Sequence, residues 1–215
     1  MAFSLLKYLE KELLVLCQDK EEKYPVELME WVDEESMGAF LAADEELSTV
    51  ATDEELNEAI TDEFGVKYSE DGRKLLKAPQ NLDGTYSVKK GTKIICDMAF
   101  YDYSSLSSLV IPDSVIIIGF GAFEGCSSLR SLVISNSVTC IGDDAFWFCS
   151  SLRNLVIPDS VTAIGDRAFS GCCSLESLVV PDSVASIGNE AFRGCNLPDN
   201  LKQELISRFG ENIFG

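Results

Sequence analysis

Hydrophobic and polar residues in the second half of the chain follow a pattern that returns every 23 residues. In one unit, Leu109 and Ile111 flank Val110 with the two-residue alternation of a β-strand, and a Pro-Asp-Ser turn follows. After the turn, a second apolar stretch runs from Val115 to Ile118, and Ala122-Phe123 closes the coil. Four full copies of this unit follow one another, at 104–126, 127–149, 150–172 and 173–195.

Self-similarity at this period predicts a solenoid, because one unit cannot bury its apolar face alone. Each copy then becomes one coil, and equivalent side chains of successive coils stack into columns. The glycine after each second apolar stretch, such as Gly119, is expected to allow a tight bend. A degenerate copy at 84–103 keeps the same register and leads into the array. The expected core column consists of Phe100, Phe123, Phe146, Phe169 and Phe192.

The C-terminal segment 196–215 has the pattern of a short amphipathic helix. Pro198 suits the first helical position, and apolar residues recur every four positions up to Gly210. These apolar residues are Leu201, Leu205 and Phe209. We expect this helix to cover the last coil, because an uncapped solenoid would expose its core.

Before the array, the segment from Thr52 to Glu55 has the form of a capping box. A helix is therefore predicted to begin here. Its apolar face would carry Leu56 and Ile60, and Gly65 is the expected C-cap.

The expected fold class is α/β, a solenoid with a parallel β-sheet, a small acidic helical region before it and a capping helix after it. The helical region is assigned to 1–67, with helices at 1–20 and around 24–43. The solenoid is assigned to 68–195 and the C-terminal cap to 196–215. The helical region is expected to pack on the first coil, with an independent arrangement as the alternative.

The repeated consensus, LxxLxIPxxVxxIGxxAFxxC, resembles the BspA-type leucine-rich repeats of bacterial and some protist surface proteins. The segment Tyr68–Val88 looks like the customary opening of such arrays. The resemblance implies a leucine-rich repeat solenoid. It also implies roles in cell adhesion and protein–protein recognition, including binding to host matrix proteins.

The chain is strongly acidic, with a formal net charge of −19. Twenty acidic and five basic residues fall within 1–70, so this region would repel nucleic-acid phosphates and anionic lipids. The sequence contains no run of about 18 apolar residues, so no membrane span is predicted. Lys7, Glu10 and Lys11 interrupt the first apolar residues, which argues against a signal peptide. As the sequence stands, a cytoplasmic location is expected, or a surface or secreted one if a signal peptide has been removed.

Four of the eight cysteines return at the repeat period and are interpreted as small core residues. Disulfides between adjacent coils stay open as the alternative, because a strand spacing of about 4.8 Å is compatible with one. The absence of histidine and of CxxC argues against zinc. Acidic clusters such as 33–35 and 44–46 lack the spacing of a calcium-binding loop and are interpreted as solvated helix faces. No metal and no cofactor is expected. The periodic cysteines are Cys126, Cys149, Cys172 and Cys195.

Catalytic motifs are absent from the sequence. Without histidine, a Ser–His or Cys–His pair cannot form, and neither a phosphate-binding loop nor a dinucleotide fingerprint occurs. A carboxylate pair of the glycoside-hydrolase type stays open as an alternative. We expect a non-enzymatic monomer that binds a protein, either a host matrix protein or another bacterial protein. A structural alternative is a scaffold that presents the acidic helical region.

The first candidate partner site is the outward side of the predicted strands. A valine in every copy would make an exposed apolar stripe, with Arg130 and Arg153 beside it. The alternative is that valine merely suits a strand. The stripe consists of Val110, Val133, Val156 and Val179.

The second candidate site consists of aromatic residues that break the repeat. Trp147-Phe148 stands where the other full copies have a pair that ends in glycine, and Phe120 replaces aspartate or asparagine. Tyr101 takes the position of Trp147 two copies earlier. Tryptophan and tyrosine contribute strongly to protein interfaces, so a partner site is one interpretation. Packing beneath a cap, or repacking around the missing proline at Ser135, is the other.

Overall fold

The computed structural model describes residues 47–79 and 82–215. The chain divides into two compact units, Met1–Ser48 and Thr49–Gly215, and the second contains the repeats. The helices expected at 1–20 and around 24–43 lie outside the described residues. The helices of the second unit are α1 (Asp53–Asn57), α2 (Asp199–Phe209) and a 3-10 turn (Glu211–Ile213). Its strands are β1 (Ile60–Thr61), β2 (Lys67–Tyr68), β3 (Lys74–Lys77), β4 (Gly84–Ser87), β5 (Ile94–Ile95), β6 (Leu106–Val110), β7 (Ile117–Ile118), β8 (Ser131–Val133), β9 (Cys140–Ile141), β10 (Asn154–Val156), β11 (Ala163–Ile164), β12 (Ser177–Val179) and β13 (Ser186–Ile187).

Each full repeat forms one coil with two strands. The first strand (β6, β8, β10 or β12) presents alternate side chains to the core, and the second (β7, β9, β11 or β13) is two residues long. Strands of adjacent coils pair in parallel between residues one repeat apart, as Ile118 with Ile141 and Ile164 with Ile187. The predicted parallel solenoid is therefore confirmed.

The second strands of the coils form one continuous sheet in the order β1-β2-β3-β5-β7-β9-β11-β13. Pairing is parallel from β3 onwards, whereas β1 and β2 add an antiparallel extension. The first strands form two ladders, β4-β6-β8 and β10-β12, which are also parallel. The core lies between these two sets of strands.

The phenylalanine column stands in the core as the repeat predicted. Consecutive rings from Phe100 to Phe192 have centroids 4.9, 5.1, 5.2 and 5.7 Å apart, close to the strand spacing. The rings are nearly parallel, with interplanar angles of 21°, 9°, 2° and 4°. All five phenylalanines are fully buried. Each contributes about 1.5–3 kcal/mol of hydrophobic free energy before entropy is subtracted.

The glycine that follows each second strand has a different role from the bend expected at Gly119. At Gly165, a Cβ atom would stand 2.5 Å from the backbone nitrogen of Asp143 and 2.7 Å from the carbonyl carbon of Gly142. Glycine is therefore required because adjacent coils approach closely, and not for a left-handed bend. The left-handed conformation falls two residues later in the coil, at Asp144 and Arg167.

The C-terminal helix covers the last coil, as expected. Leu205 of α2 is fully buried, and the Arg208 guanidinium donates hydrogen bonds to the carbonyls of Val180 and Pro181, at 3.0 and 2.9 Å. The expected end at Gly210 is confirmed, whereas Pro198 is the N-cap instead of the first helical residue. After the helix, the carbonyl of Ile213 accepts a 2.9 Å hydrogen bond from the N–H of Phe192 and continues the coil stacking.

The capping box at Thr52 is confirmed, but the helix that it begins is shorter than expected. The Thr52 hydroxyl accepts from the N–H of Glu55 at 3.1 Å, and the Glu55 carboxylate accepts from the N–H of Thr52 at 2.9 Å. The placement of Ile60 on this helix and of Gly65 as its C-cap was wrong. The helix ends at Asn57, and Glu58 is its C-cap.

Ile60 belongs to β1 because the chain turns back in a hairpin to pair β1 with β2. The Asp62 carboxylate fixes the turn by accepting hydrogen bonds from the N–H groups of Phe64 and Val66, both at 2.9 Å. Gly65 lies within this turn at φ +86°. The hairpin extends the main sheet, so the boundary expected after residue 67 falls inside β2.

Candidate functional site

The outer side of the first strands carries a column of exposed valines, which we call the valine face. Val110 pairs in register with Val133, and Val156 pairs with Val179. Their exposed fractions are 37%, 53%, 63% and 52% in chain order. The stripe predicted from the sequence is therefore present, and it is apolar surface open to solvent along four coils.

The alternation of the strand determines which side chains reach this face. Leu109 and Ile111, on either side of Val110, are 0% and 1% exposed and point into the core. A second outward row lies two residues before the valines and is polar. It consists of Ser108, Ser131, Asn154 and Ser177.

Charged residues border the valine face just before β8, β10 and β12. Arg130 and Arg153 are exposed and occupy equivalent positions in adjacent coils, with Glu176 next in the same row. Hydrogen bonds from the N–H of Arg130 to the carbonyl of Ser107 (2.9 Å) and from the N–H of Glu176 to the carbonyl of Arg153 (3.0 Å) fix the register within each ladder. The predicted arginines thus lie beside the valines and can supply polar contacts at the rim of an interface.

The valine face is divided where one copy lacks its proline. Strand β8 pairs with β6, whereas β10 pairs with β12, and Ser135 stands at the proline position of the intervening turn. Its hydroxyl donates to the carbonyl of Pro112 at 2.9 Å. Leu132 of the same copy is half-buried, whereas its counterparts Leu109 and Leu155 are buried.

The aromatic residues lie on a different stretch of the coil, the turns that follow the second strands, which we call the turn face. Tyr101 and Phe148 are 47% and 52% exposed, and Trp147 is half-buried. Tyr101 and Trp147 occupy the same coil position two coils apart, as the repeat predicted. The structure thus separates the predicted site residues into two surfaces, the valine face and the turn face.

Phe148 has a left-handed backbone, φ +57°, at a position that is glycine in the other full copies. Its ring lies over Gly171 of the next coil, where a Cβ atom would stand 2.8 Å from a ring carbon. Its centroid is 4.8 Å from that of Trp147 at an interplanar angle of 49°. A bulky residue in this conformation is strained by about 1–2 kcal/mol, and such strain often marks a functional position.

Phe120 occupies a third column, in which carboxylates tie one coil to the next. The Asp97 carboxylate accepts a 2.8 Å hydrogen bond from the N–H of Phe120, and Asp143 does the same for Asp166 at 2.8 Å. The half-buried Phe120 ring replaces a carboxylate of this column. Phe120 therefore contributes less open surface to the turn face than Tyr101 or Phe148.

Sequence reasoning missed the charged residues of the turn face as site residues. Glu124 lies between Tyr101 and Trp147 in their column, and its pKa is raised, first by burial and then by the nearby carboxylates of Asp144 and Asp102. Asp144 is itself held by Arg167 of the next coil through two hydrogen bonds of 2.8 and 2.7 Å. The signal was available, because Glu124 lies one repeat from both aromatic residues.

The periodic cysteines form a buried ladder, which confirms their interpretation as core residues. All cysteines within the described residues are free. Each periodic thiol donates to a phenylalanine carbonyl at 3.3 Å, as Cys126 does to Phe100. Burial raises the pKa of Cys126 and of Cys195 to about 12, so these thiols stay protonated at neutral pH.

Within residues 47–79 and 82–215, no three Cys, Asp or Glu side chains are grouped as ligands for a metal ion. Over the same residues, no helix has the length and hydropathy that a membrane span requires.

The fold and the two faces define a leucine-rich repeat solenoid that presents surfaces on a rigid stack of coils. The sequence profile described as "BspA type Leucine rich repeat region" matches residues 87–215 in six copies. The chain belongs to this family. The match continues past Cys195, the end of the fourth full copy, into the segment that continues the stacking after α2. No curated protein matches the chain.

Several solved structures of bacterial leucine-rich repeat proteins are similar to this chain. A leucine-rich cell surface protein from Faecalibacterium prausnitzii is 29% identical, with a TM-score of 0.62, and the match covers 72% of this chain and 43% of that one. The pneumococcal vaccine antigen PcpA is 23% identical, with a TM-score of 0.55 and coverage of 71% and 46%. A leucine-rich repeat protein from Eubacterium ventriosum is 16% identical, with a TM-score of 0.50 and coverage of 70% and 53%. The last two likenesses show the fold alone. The chain spans less than half the length of the first two proteins.

Proposed function

We propose that this chain is a non-enzymatic recognition module that binds a protein partner through the valine face. The observation that carries the proposal is the column of four valines, 37–63% exposed, on the outer side of parallel strands. An ordered apolar stripe of this kind loses unfavourable contact with water when a partner covers it. Membership in a family of repeat proteins, and the cell-surface description of the Faecalibacterium relative, support the same function.

The composition of the valine face suits a protein surface better than a small molecule. The valines are flanked by a row of serine and asparagine side chains, and Arg130 and Arg153 lie at the rim. An apolar centre with a polar rim is the usual anatomy of a protein interface. Burying one half-exposed valine contributes on the order of 1 kcal/mol, so covering the four valines strengthens binding by about 4 kcal/mol, roughly a thousandfold in affinity.

The partner that we propose is an extracellular protein, either a host matrix protein or another bacterial surface protein. The test uses the full chain, immobilised, against a panel of purified matrix proteins and surface proteins of the producing cell, with binding followed by biolayer interferometry. We expect saturable binding to at least one of them. The triple variant Val133→Thr, Val156→Thr and Val179→Thr, which keeps the shape of each side chain but replaces one methyl group with a hydroxyl, should weaken that binding about tenfold or more.

The matched control is Val50→Thr, because Val50 is 58% exposed and precedes α1, away from the first strands. It should bind as the parent chain does. Deletion of residues 1–48 should also leave binding intact, whereas a scaffold that presents the acidic region would lose it. Equal affinity of the triple variant and the Val50→Thr variant would refute binding through the valine face.

A further inference from the structure

A column of aromatic and acidic side chains on the turn face forms a second surface that the valine face does not include. Tyr101, Glu124 and Trp147 occupy the same position in three consecutive coils, and we call them the aromatic–acid column. The backbone fixes their register. The N–H of Asp102 donates to the carbonyl of Glu124, and that of Gly125 donates to the carbonyl of Trp147, both at 2.7 Å.

This register places a glutamate between two aromatic residues along the column. Equivalent positions in adjacent coils are about 4.8 Å apart, so Tyr101 and Trp147 are roughly 10 Å apart, with Glu124 midway. The residues that precede them in the chain have the same spacing, since the rings of Phe100, Phe123 and Phe146 are 4.9 and 5.1 Å apart. A cation bound beside Glu124 on this column can therefore come within about 6 Å of an aromatic ring, the range at which rings attract cations.

The charge of Glu124 has no paired cation among the described residues. Its carboxylate makes no ion pair with them, and the nearby guanidinium of Arg167 is bound in bidentate fashion to Asp144. The carboxylate of Asp102, also nearby, adds negative charge. Burial, followed by the carboxylates of Asp144 and Asp102, raises the pKa of Glu124, and the charge of Arg167 offsets only part of this effect.

The structure holds the tryptophan of this column in place at some cost in free energy. Phe148, strained at φ +57°, lies between the Trp147 ring and the backbone of Gly171. Glycine at 171 leaves the space that the Phe148 ring occupies. An aromatic pair whose rings already pack on each other and on the next coil loses little entropy on binding, which favours recognition.

We propose that the aromatic–acid column binds the guanidinium group of an arginine side chain on a protein partner. A guanidinium is planar and stacks on aromatic rings, and it donates two parallel hydrogen bonds to a carboxylate. The net negative charge of the turn face at Asp102 and Glu124 attracts such a group. This site is separate from the valine face, so it can exist whether or not the valine face binds.

Tryptophan fluorescence tests the proposal with a defined probe. The chain has two tryptophans, so the full chain with Trp31→Phe reports Trp147 alone. Titration with Nα-acetyl-argininamide should change the emission of Trp147 with saturation, at a dissociation constant on the order of millimolar. Nα-acetyl-citrullinamide, which has nearly the same shape but no charge, should produce no saturable change.

Variants in the same Trp31→Phe chain identify the residues involved. Glu124→Gln and Tyr101→Ala should each weaken the response to the arginine derivative by about fivefold or more, because they remove the carboxylate or one ring. Glu176→Gln removes an exposed carboxylate from the other surface and should leave the response unchanged. Val156→Thr should also leave it unchanged, which separates this test from that of the valine face. A response to the citrulline derivative equal to that of the arginine derivative, or full affinity in Glu124→Gln, would overturn the proposal.

Discussion

Phe148 combines an unfavourable backbone conformation with an exposed aromatic side chain. Three other full copies use glycine at this position, with φ between +73° and +74°, and thereby avoid a steric cost. Phe148 adopts nearly the same conformation and gains contacts with Trp147 and Gly171. The strained residue thus lies where the turn face carries its aromatic surface.

Two truncations of Phe148 separate the strain from the ring contacts. Phe148→Ala and Phe148→Gly both remove the ring, but only glycine relieves the left-handed conformation. We therefore expect the glycine variant to be more stable than the alanine variant by about 1 kcal/mol, measured by urea denaturation. Trp147 provides the control, because its φ is not positive. At this control position, Trp147→Ala should be more stable than Trp147→Gly. If the glycine variant were the more stable one at both positions, or the alanine variant at both, the account would be contradicted.

The sequence could reveal the aromatic residues of the turn face but not their conformation. Trp147 and Phe148 stand out because they break a repeat, and this is visible without a structure. The left-handed φ of Phe148 could have been inferred only by transferring a property of glycine from neighbouring copies. The charge balance at Glu124 depends on Arg167 pairing with Asp144 across coils, and this pairing is not contained in any single unit.

At the scale of the coil, close approach of backbones decides which residues are tolerated. We expect Gly165→Ala to lower the free energy of unfolding by about 2–3 kcal/mol or more, because its Cβ would lie 2.5 Å from a backbone atom of the preceding coil. Gly72→Ala is the matched control. Gly72 has φ +71° with nothing within 4 Å of the added Cβ, so its cost should be only about 1 kcal/mol. Equal losses in urea denaturation would show that coil spacing is not the cause.

The elements of the array were predictable, whereas the elements before it were predictable only in part. Period and alternation are local signals that four copies repeat, so strands, turns and inward columns follow from them. The capping box at Thr52 was correct because it is also local. The position of Ile60 in a strand could not be predicted, because β1 forms only by pairing with β2 across a turn that Asp62 holds. A strand of two residues has no periodicity of its own.

At the scale of the whole molecule, the buried thiols make the free energy of unfolding fall as the solution becomes alkaline. In the unfolded chain a cysteine has a pKa of about 9, whereas burial raises the pKa of Cys126 and Cys195 to about 12 in the folded protein. Above pH 9 the unfolded chain has therefore lost protons that the folded chain retains. Stability is fully present below pH 9 and is lost as the pH rises toward 12, by about 1.4 kcal/mol per pH unit for each such thiol.

Urea denaturation between pH 9.5 and 10.5 measures this dependence. Cys126→Ala and Cys195→Ala should each make the fall in stability with pH shallower by about 1 kcal/mol per pH unit, whatever they do to stability at pH 7. Cys173→Ser, at an exposed position, should leave the slope unchanged. Parallel slopes in all three variants would mean that the thiol ladder is not buried as described.

The account depends most directly on the stacking of equivalent residues from successive repeats, which creates both faces. Engineered disulfides test this stacking in a chain with Cys17→Ser and Cys173→Ser. Val156→Cys with Val179→Cys places two thiols at in-register partners on the same face, at a spacing that a disulfide can bridge. Val156→Cys with Ser177→Cys keeps the face but shifts the register by two residues, to about 8 Å between Cα atoms, beyond disulfide range. Stacking at the 23-residue period predicts rapid oxidation of the first pair and none of the second. Equal oxidation of the two pairs, or oxidation of the second alone, would contradict it.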